Sequence, residues 1–292
     1  VIVIAHLSDI HIDDGQRSAD RARAVMDHLE GLPWDLDAVV VTGDIADHGL
    51  AGEYELARRI LTSRHPVLTC PGNHDERAAF RRVLLGRPAE AGRTATETGR
   101  TETEAEPAAA EAPGTTATGE PGAADAVDEV AAPVNQVHRG NGFVLALCDS
   151  SVPGKDHGHL EEETLAWLAD VLDGTPDTVP VLVGFHHPPV PLAIPYVDEI
   201  RQFGERRLAE LADRHPNLLA FLSGHAHTPA ATTFAGRPLL VAPGVVSTLR
   251  LPWDHRAHAD DHADLTQPPA LAFHVLDDEG RLTTHYRWVP GA

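Results

Sequence analysis

Five apolar runs in this chain each break off in a polar cluster rich in Asp, Asn and His, and that repetition constrains the fold more than any other feature. The runs are residues 1–7, 38–42, 67–70, 179–185 and 218–222. The clusters after them are Ser8-Asp9-Ile10-His11, Gly43-Asp44, Gly72-Asn73-His74-Asp75, His186-His187-Pro188-Pro189 and Gly224-His225-Ala226-His227. Short continuous apolar runs bounded by turn residues are the pattern of strands buried on both faces. Helical spacing fills the gaps: Val25, Met26, Leu29 and Leu32 within 17–32; Tyr54, Ala57, Ile60 and Leu61; Phe80, Val83 and Leu84 within 75–85. A strand at 143–148, a helix over 160–172 and a helix near 202–214 follow, and then strands in succession at 238–241, 270–276 and 282–288. That order predicts a layered α/β sandwich rather than a purely parallel doubly wound sheet. Ligands of open α/β sheets bind beyond the carboxyl ends of strands, so clusters placed there can converge.

Each cluster alone has an ordinary explanation. Asp9-x-His11 could be a surface strand end, and Gly43-Asp44 a common turn. Five such ends in one chain are not explained that way. The donors are aspartate, an asparagine carbonyl and imidazole, with no cysteine nearby, a mixed oxygen and nitrogen set that suits Mn²⁺, Fe, Zn²⁺ or Co²⁺. Seven donors are too many for one ion and imply a pair. Two ions ~3.5–4 Å apart clamp the attacking and leaving oxygens of an in-line displacement at phosphorus.

Composition narrows the partners. A formal net charge of −21 disfavours a nucleic-acid duplex or an anionic membrane, whereas a small anionic substrate is acceptable where cations reverse the field inside a pocket. The two cysteines, Cys70 and Cys148, lie in apolar runs and are expected to be buried, unpaired thiols of a cytoplasmic protein. No run approaches the ~20 apolar residues that span a bilayer. The first residues lack a basic signal-peptide region, and the missing methionine points to a trimmed start.

Residues 88–126 contain no Val, Ile, Leu, Met, Phe, Trp, Tyr or Cys. Such a segment cannot bury enough apolar area to offset its ordering entropy. We expect residues 88–133 to be a disordered insertion in a single domain spanning 1–292, a partner-binding tail being the alternative. Residues 190–215 are placed to cap the site. Asp254, His255, His258, Asp260, Asp261 and His262 look metal-like but follow no apolar strand. They read as a solvated loop, with a pocket rim or an extra metal site as competing readings. Asp13 and Asp14 read as loop carboxylates or helix N-terminal charges.

Asp-x-His, Gly-Asp, Gly-Asn-His-Asp, His and Gly-His-x-His, in this order, resemble the signature of the calcineurin-like metallophosphoesterases. The resemblance spans residues 1 to about 289, apart from 88–133. The His186-His187-Pro188-Pro189 form and the spacing resemble the class III cyclic-nucleotide phosphodiesterases and their glycerophosphodiesterase relatives. This resemblance implies a four-layer α-β-β-α sandwich and a binuclear metal centre. Asp9, His11 and His227 would bind one ion, Asn73, His186 and His225 the other, and Asp44 would bridge them. A water or hydroxide between the ions would attack phosphorus. His74 would bind no metal but face the phosphate, protonating the leaving oxygen or stabilising the transition state, with Asp75 orienting it. Asn73 and His187 would help to bind substrate, and related enzymes often form homodimers. The implied activity is hydrolysis of small phosphodiesters, foremost 3′,5′-cyclic nucleotides (cAMP to AMP). A broad-specificity glycerophosphodiesterase or phosphoesterase is the alternative. A non-catalytic scaffold is disfavoured because all seven ligand positions and His74 are present.

Overall fold

The computed structural model describes residues 1–87, 132–254 and 262–290. In chain order its strands are β1 (Ile2–Leu7), β2 (Ala38–Thr42), β3 (Val67–Cys70), β4 (Gln136–Gly140), β5 (Phe143–Leu147), β6 (Gly158–His159), β7 (Val181–Gly184), β8 (Gln202–Phe203), β9 (Leu218–Ser223), β10 (Ala230–Phe234), β11 (Arg237–Val241), β12 (Thr248–Leu249), β13 (Ala263–Asp264), β14 (Ala270–Leu276) and β15 (Leu282–Trp288). The helices are α1 (Arg17–Glu30), α2 (Ala51–Ile60), α3 (Arg77–Ala79, running into a wider turn over Phe80–Leu84), α4 (Glu162–Asp173), α5 (Pro195–Glu199) and α6 (Arg206–Arg214).

Two sheets lie at the centre. One has the order β15-β14-β1-β2-β3 and the other β10-β11-β9-β7-β5-β4. Parallel pairing joins β1, β2 and β3 in the first, and β5, β7, β9 and β11 in the second, while β14, β15, β10 and β4 run antiparallel to their neighbours. Strand alternation sorts the side chains into layers. Ile4, Ala38, Val40 and Leu68 of the first sheet meet Leu145, Leu147, Leu182 and Leu222 of the second in one apolar cluster. The opposite face of the first sheet, with Ala5, Leu7, Val39 and Val41, packs on Val25, Met26, Leu29, Tyr54 and Ala57 of α1 and α2. The outer face of the second packs on Leu165, Leu168 and Leu172 of α4 and Leu208 and Leu211 of α6. The result is the expected four-layer α-β-β-α sandwich.

Every apolar run singled out above forms a strand. The helix expected from residue 75 begins at Arg77, where the Glu76 carboxylate caps the N–H groups of Ala78 and Ala79. The helix expected near 202 begins at Arg206, because Gln202 and Phe203 pair with Gly158 and His159. Within the 190–215 segment, Pro195 opens the short helix α5, a position its fixed φ favours. Cys70 and Cys148 are buried and unpaired. Among the described residues no helix is long and apolar enough to cross a membrane. The expected insertion, apart from its last two residues, and His255, His258, Asp260 and Asp261 of the polar loop lie outside the described residues.

Candidate metal centre

All five polar clusters leave their strands at one end of the sandwich and meet there. The first sheet presents Asp9, His11, Asp44 and Asn73, and the second presents His186, His225 and His227. Backbone strain concentrates at these residues. Among the described residues seven non-glycine positions have positive φ, and they include Asp9 (55°), His11 (43°), Asp44 (50°), His225 (68°) and His227 (49°). Left-handed backbone is unfavourable for side-chain-bearing residues and persists where the surroundings over-determine it, commonly at functional sites. Two glycines make the convergence possible. A Cβ at Gly72 would overlap the Asp44 carboxylate, and one at Gly43, itself at φ 87°, would overlap the His186 ring.

The donor atoms form two groups that share Asp44. Asp9, His11, Asp44 and His227 each offer an atom within 4.8 Å of the others. His11 Nε2 is 3.3 Å from His227 Nε2 and 3.4 Å from Asp44 Oδ2, and His227 Nε2 is 3.5 Å from Asp9 Oδ1. On the other side, His186 Nε2 lies 3.3 Å from the same Asp44 Oδ2 and 3.2 Å from His225 Nδ1. Two buried atoms here have no hydrogen-bond partner, Asn73 Oδ1 and His225 Nε2. Leaving a buried polar atom unpaired costs about 1–3 kcal/mol, and a cation bound among these donors would offset that cost. The mixed oxygen and nitrogen set therefore fits a pair of metal ions.

The remaining ring nitrogens are tied down by the protein, which fixes ring orientation and tautomer as metal-binding histidines require. His11 Nδ1 lies 2.8 Å from Asp47 Oδ1, His227 Nδ1 2.8 Å from Ser247 Oγ, and His186 Nδ1–H donates to the Thr42 carbonyl at 2.7 Å. Burial pushes His225 well below the ordinary imidazole range and His227 down to about 3, so both are neutral donors at pH 7. Burial also raises the Asp9 carboxyl to about 6. Burial opposes charge on Asp44 as well, but the facing His186 and His11 rings hold its carboxyl well below the usual range.

His74 differs from these rings in being exposed. Its Nδ1–H donates to the Asp47 carbonyl at 2.8 Å, its backbone N–H donates to Asp44 Oδ1 at 3.0 Å, and its ring meets that of His11 edge-on at 4.6 Å. The orienting partner is thus Asp47, not the expected Asp75. Asp75 turns away and accepts from the N–H groups of Ile45, Ala46 and Gly72 and from the Tyr54 hydroxyl, at 2.9–3.1 Å. It clamps the Gly43-Asp44 loop to the Gly72-Asn73 loop. His187, expected beside substrate, is fully buried, and both its ring nitrogens are engaged, Nδ1 with Ser150 Oγ at 2.9 Å and Nε2 with the Asp156 carbonyl at 3.2 Å. It supports the 150–158 loop, and its ring meets that of His186 edge-on and lies tilted beside that of His225. Asp13 accepts from Ser18 Oγ and Gly15 N just before α1, Asp254 caps the backbone at Leu251, and His262 stacks on Tyr196.

Asp47, Ser247 and the Thr42 carbonyl escaped the sequence reading. Asp47 lies three residues after Asp44 in the same loop. Ser247 follows Gly244, the glycine that ends the apolar run of β11, so a sixth strand end was the available signal.

The calcineurin-like phosphoesterase family model matches residues 2–229. A glycerophosphodiester phosphodiesterase of Enterobacter lignolyticus is 29% identical over 95% of this chain and 88% of its own. A 3′,5′-cyclic adenosine monophosphate phosphodiesterase of Pseudomonas aeruginosa is 26% identical over 97% of this chain and 88% of its own. The crystal structure of a dimetal phosphatase from Danio rerio shares the fold with a TM-score of 0.62 at 15% identity, covering 99% of each chain. With the family pattern covering most of its length, this chain belongs to the calcineurin-like phosphoesterases.

Proposed function

We propose that this chain hydrolyses small phosphodiesters at a binuclear metal centre, with 3′,5′-cyclic nucleotides as the leading substrates. The observation that carries the reading is the sharing of one carboxylate oxygen, Asp44 Oδ2, between His11 at 3.4 Å and His186 at 3.3 Å. Asp9, His11 and His227 would hold one ion, Asn73, His186 and His225 the other, with Asp44 between them; Mn, Fe, Zn and Co all suit these donors. Bound there, two cations supply Lewis acidity and a nucleophilic water at neutral pH.

The protein's own groups do the rest. The Asp47 carbonyl accepts a hydrogen bond from His74 Nδ1–H, which leaves Nε2 to face the entering phosphate. In its imidazolium form the ring would donate from Nε2–H, either the proton itself to the leaving oxygen or a hydrogen bond to the charged phosphoryl group, and keep the Nδ1–H bond to Asp47. The chain around α5 serves as a cap. Ile194 and Val197 share an apolar cluster with Ala226, the residue between His225 and His227, so the cap rests on the loop that carries two donors.

A second reading, cleavage of glycerophosphodiesters, is supported by the Enterobacter relative. Incubation of the Mn²⁺-loaded protein with cyclic AMP, glycerophosphoethanolamine and bis(p-nitrophenyl) phosphate separates the two. Release of AMP with the highest kcat/KM is expected. Turnover of glycerophosphoethanolamine but not of cyclic AMP would transfer the assignment to the second reading. Failure to cleave any diester with Mn²⁺, Fe²⁺, Zn²⁺ or Co²⁺ would overturn both.

A further inference from the structure

One loop outside the five motifs touches the first donor group from two directions. Residues 244–247 follow β11 and lie along the end of β1. Val245 N–H donates to the Ser8 carbonyl and Val246 N–H to the Asp9 carbonyl, both at 3.0 Å. The side chain of Ser247, 4% exposed, places Oγ 2.8 Å from His227 Nδ1. Gly244 lets the loop come this close, since a Cβ there would lie 3.0 Å from His227 Nδ1 and 2.5 Å from the Ser247 carbonyl.

Two arginines one helical turn apart on α1 hold this loop from outside. Arg17 donates from Nη1 to the Val246 carbonyl and from Nη2 to the Leu265 carbonyl, each at 2.7 Å. Arg21, 5% exposed, donates from Nε to the Val245 carbonyl at 2.7 Å and from Nη2 to the Gln267 carbonyl at 2.8 Å. Each guanidinium therefore bridges the 244–247 loop and the stretch before β14. Both guanidinium groups bind loop carbonyls.

We infer that Ser247 is a positioning residue for His227, and that Arg17 and Arg21 set the loop that presents it. The inference rests on the metal reading above. The His227 ring has two freedoms to lose, tautomer and tilt. Donation of Nδ1–H to the Ser247 hydroxyl fixes both and turns the Nε2 lone pair toward Asp9 and His11, at 3.5 and 3.3 Å. The same loop pins the Asp9 backbone, so two donors of the first group depend on a segment with no metal-binding residue of its own. Removing the hydroxyl leaves the imidazole in place but free to present the wrong nitrogen.

The test is Mn²⁺ binding to the full chain, measured against a competing chelator so that both dissociation constants are resolved without reference to turnover. Ser247→Ala is expected to weaken one ion by about 10–100-fold, the usual effect of losing a partner behind a metal ligand. The second ion stays near its parental affinity, and so does the melting temperature of the metal-free protein. Ser247→Thr, which keeps the hydroxyl, is expected to bind like the parent. Arg17→Ala, at an exposed position, weakens the same ion by a smaller factor. Parental affinity for both ions in Ser247→Ala would overturn the inference. Equal weakening of both ions with a lower metal-free melting temperature would also overturn it, by showing a merely structural role. A parent protein that binds no Mn²⁺ would overturn the metal reading itself, and this inference with it.

Discussion

His74 and Asp75 are neighbours in the chain and do unrelated work. His74 is exposed above the donor groups and held by the Asp47 carbonyl, whereas Asp75 accepts four hydrogen bonds that tie two loops together. The two substitutions are expected to separate cleanly. His74→Ala keeps the melting temperature and the metal content and lowers kcat by about 10²–10⁴-fold, the scale of a lost general acid. Asp75→Ala leaves three backbone N–H groups without an acceptor, at about 1–3 kcal/mol each when they stay unsolvated, so it lowers the melting temperature and loosens metal retention. Thermal unfolding, elemental analysis and steady-state kinetics on the pair check this. The residues that gather at the strand ends were legible because each follows a buried strand closely. The supporting residues were not, because the role of Asp47 or Ser247 depends on which ring nitrogen comes within reach after folding.

Among the strands, β1 and β14 carry a polar line through the layer between the sheets. His6 Nε2 lies 2.9 Å from Thr42 Oγ1, His6 Nδ1 3.0 Å from His274 Nε2, and His274 Nδ1 2.9 Å from Thr284 Oγ1. Both histidines are buried, and burial lowers His6 well below the ordinary range and His274 to about 3. Between pH ~6.5 and about 3 an unfolded His274 binds a proton that the folded one refuses, so stability rises with pH across that window and falls on acidification. Urea unfolding at pH 7 and pH 5 is expected to show the loss, and His274→Gln to reduce it by roughly 2 kcal/mol. An unchanged loss in the variant would refute the assignment.

Strands such as β1 and β2 were legible because both faces are buried and the run is wholly apolar. The edge strands β4 and β10 were not. Gln136–Gly140 and, apart from the buried Phe234, Ala230–Phe234 alternate between partly buried and exposed positions, and their pairing partners rather than their own residues make them strands.

For the molecule as a whole, the informative point is where the long insertion leaves and returns. Arg87 N–H donates to the Arg81 carbonyl at 3.1 Å, and Arg81 Nη2 donates to the Ala132 carbonyl at 2.6 Å. Both flanks of residues 88–131 thus meet at one residue of the α3 region, and a short linker can join them. Replacing 88–131 by a few Gly and Ser residues is expected to keep kcat/KM. It should raise stability slightly, by roughly 0.6 kcal/mol for each halving of loop length. Thermal melts and kinetics of the shortened chain test this.

The division of the donors between the two sheets also bears on when the site comes into being. Asp9, His11, Asp44 and Asn73 belong to the first sheet, and His186, His225 and His227 to the second. The second donor group is not whole until residue 225, nor the first until residue 227, has left the ribosome and β9 has docked. During synthesis, then, the nascent chain carries two aspartates, a histidine and an asparagine of the site before any donor of the second sheet is made. The imidazoles that complete both pockets come in two instalments, His186 after β7 and then His225 and His227 after β9.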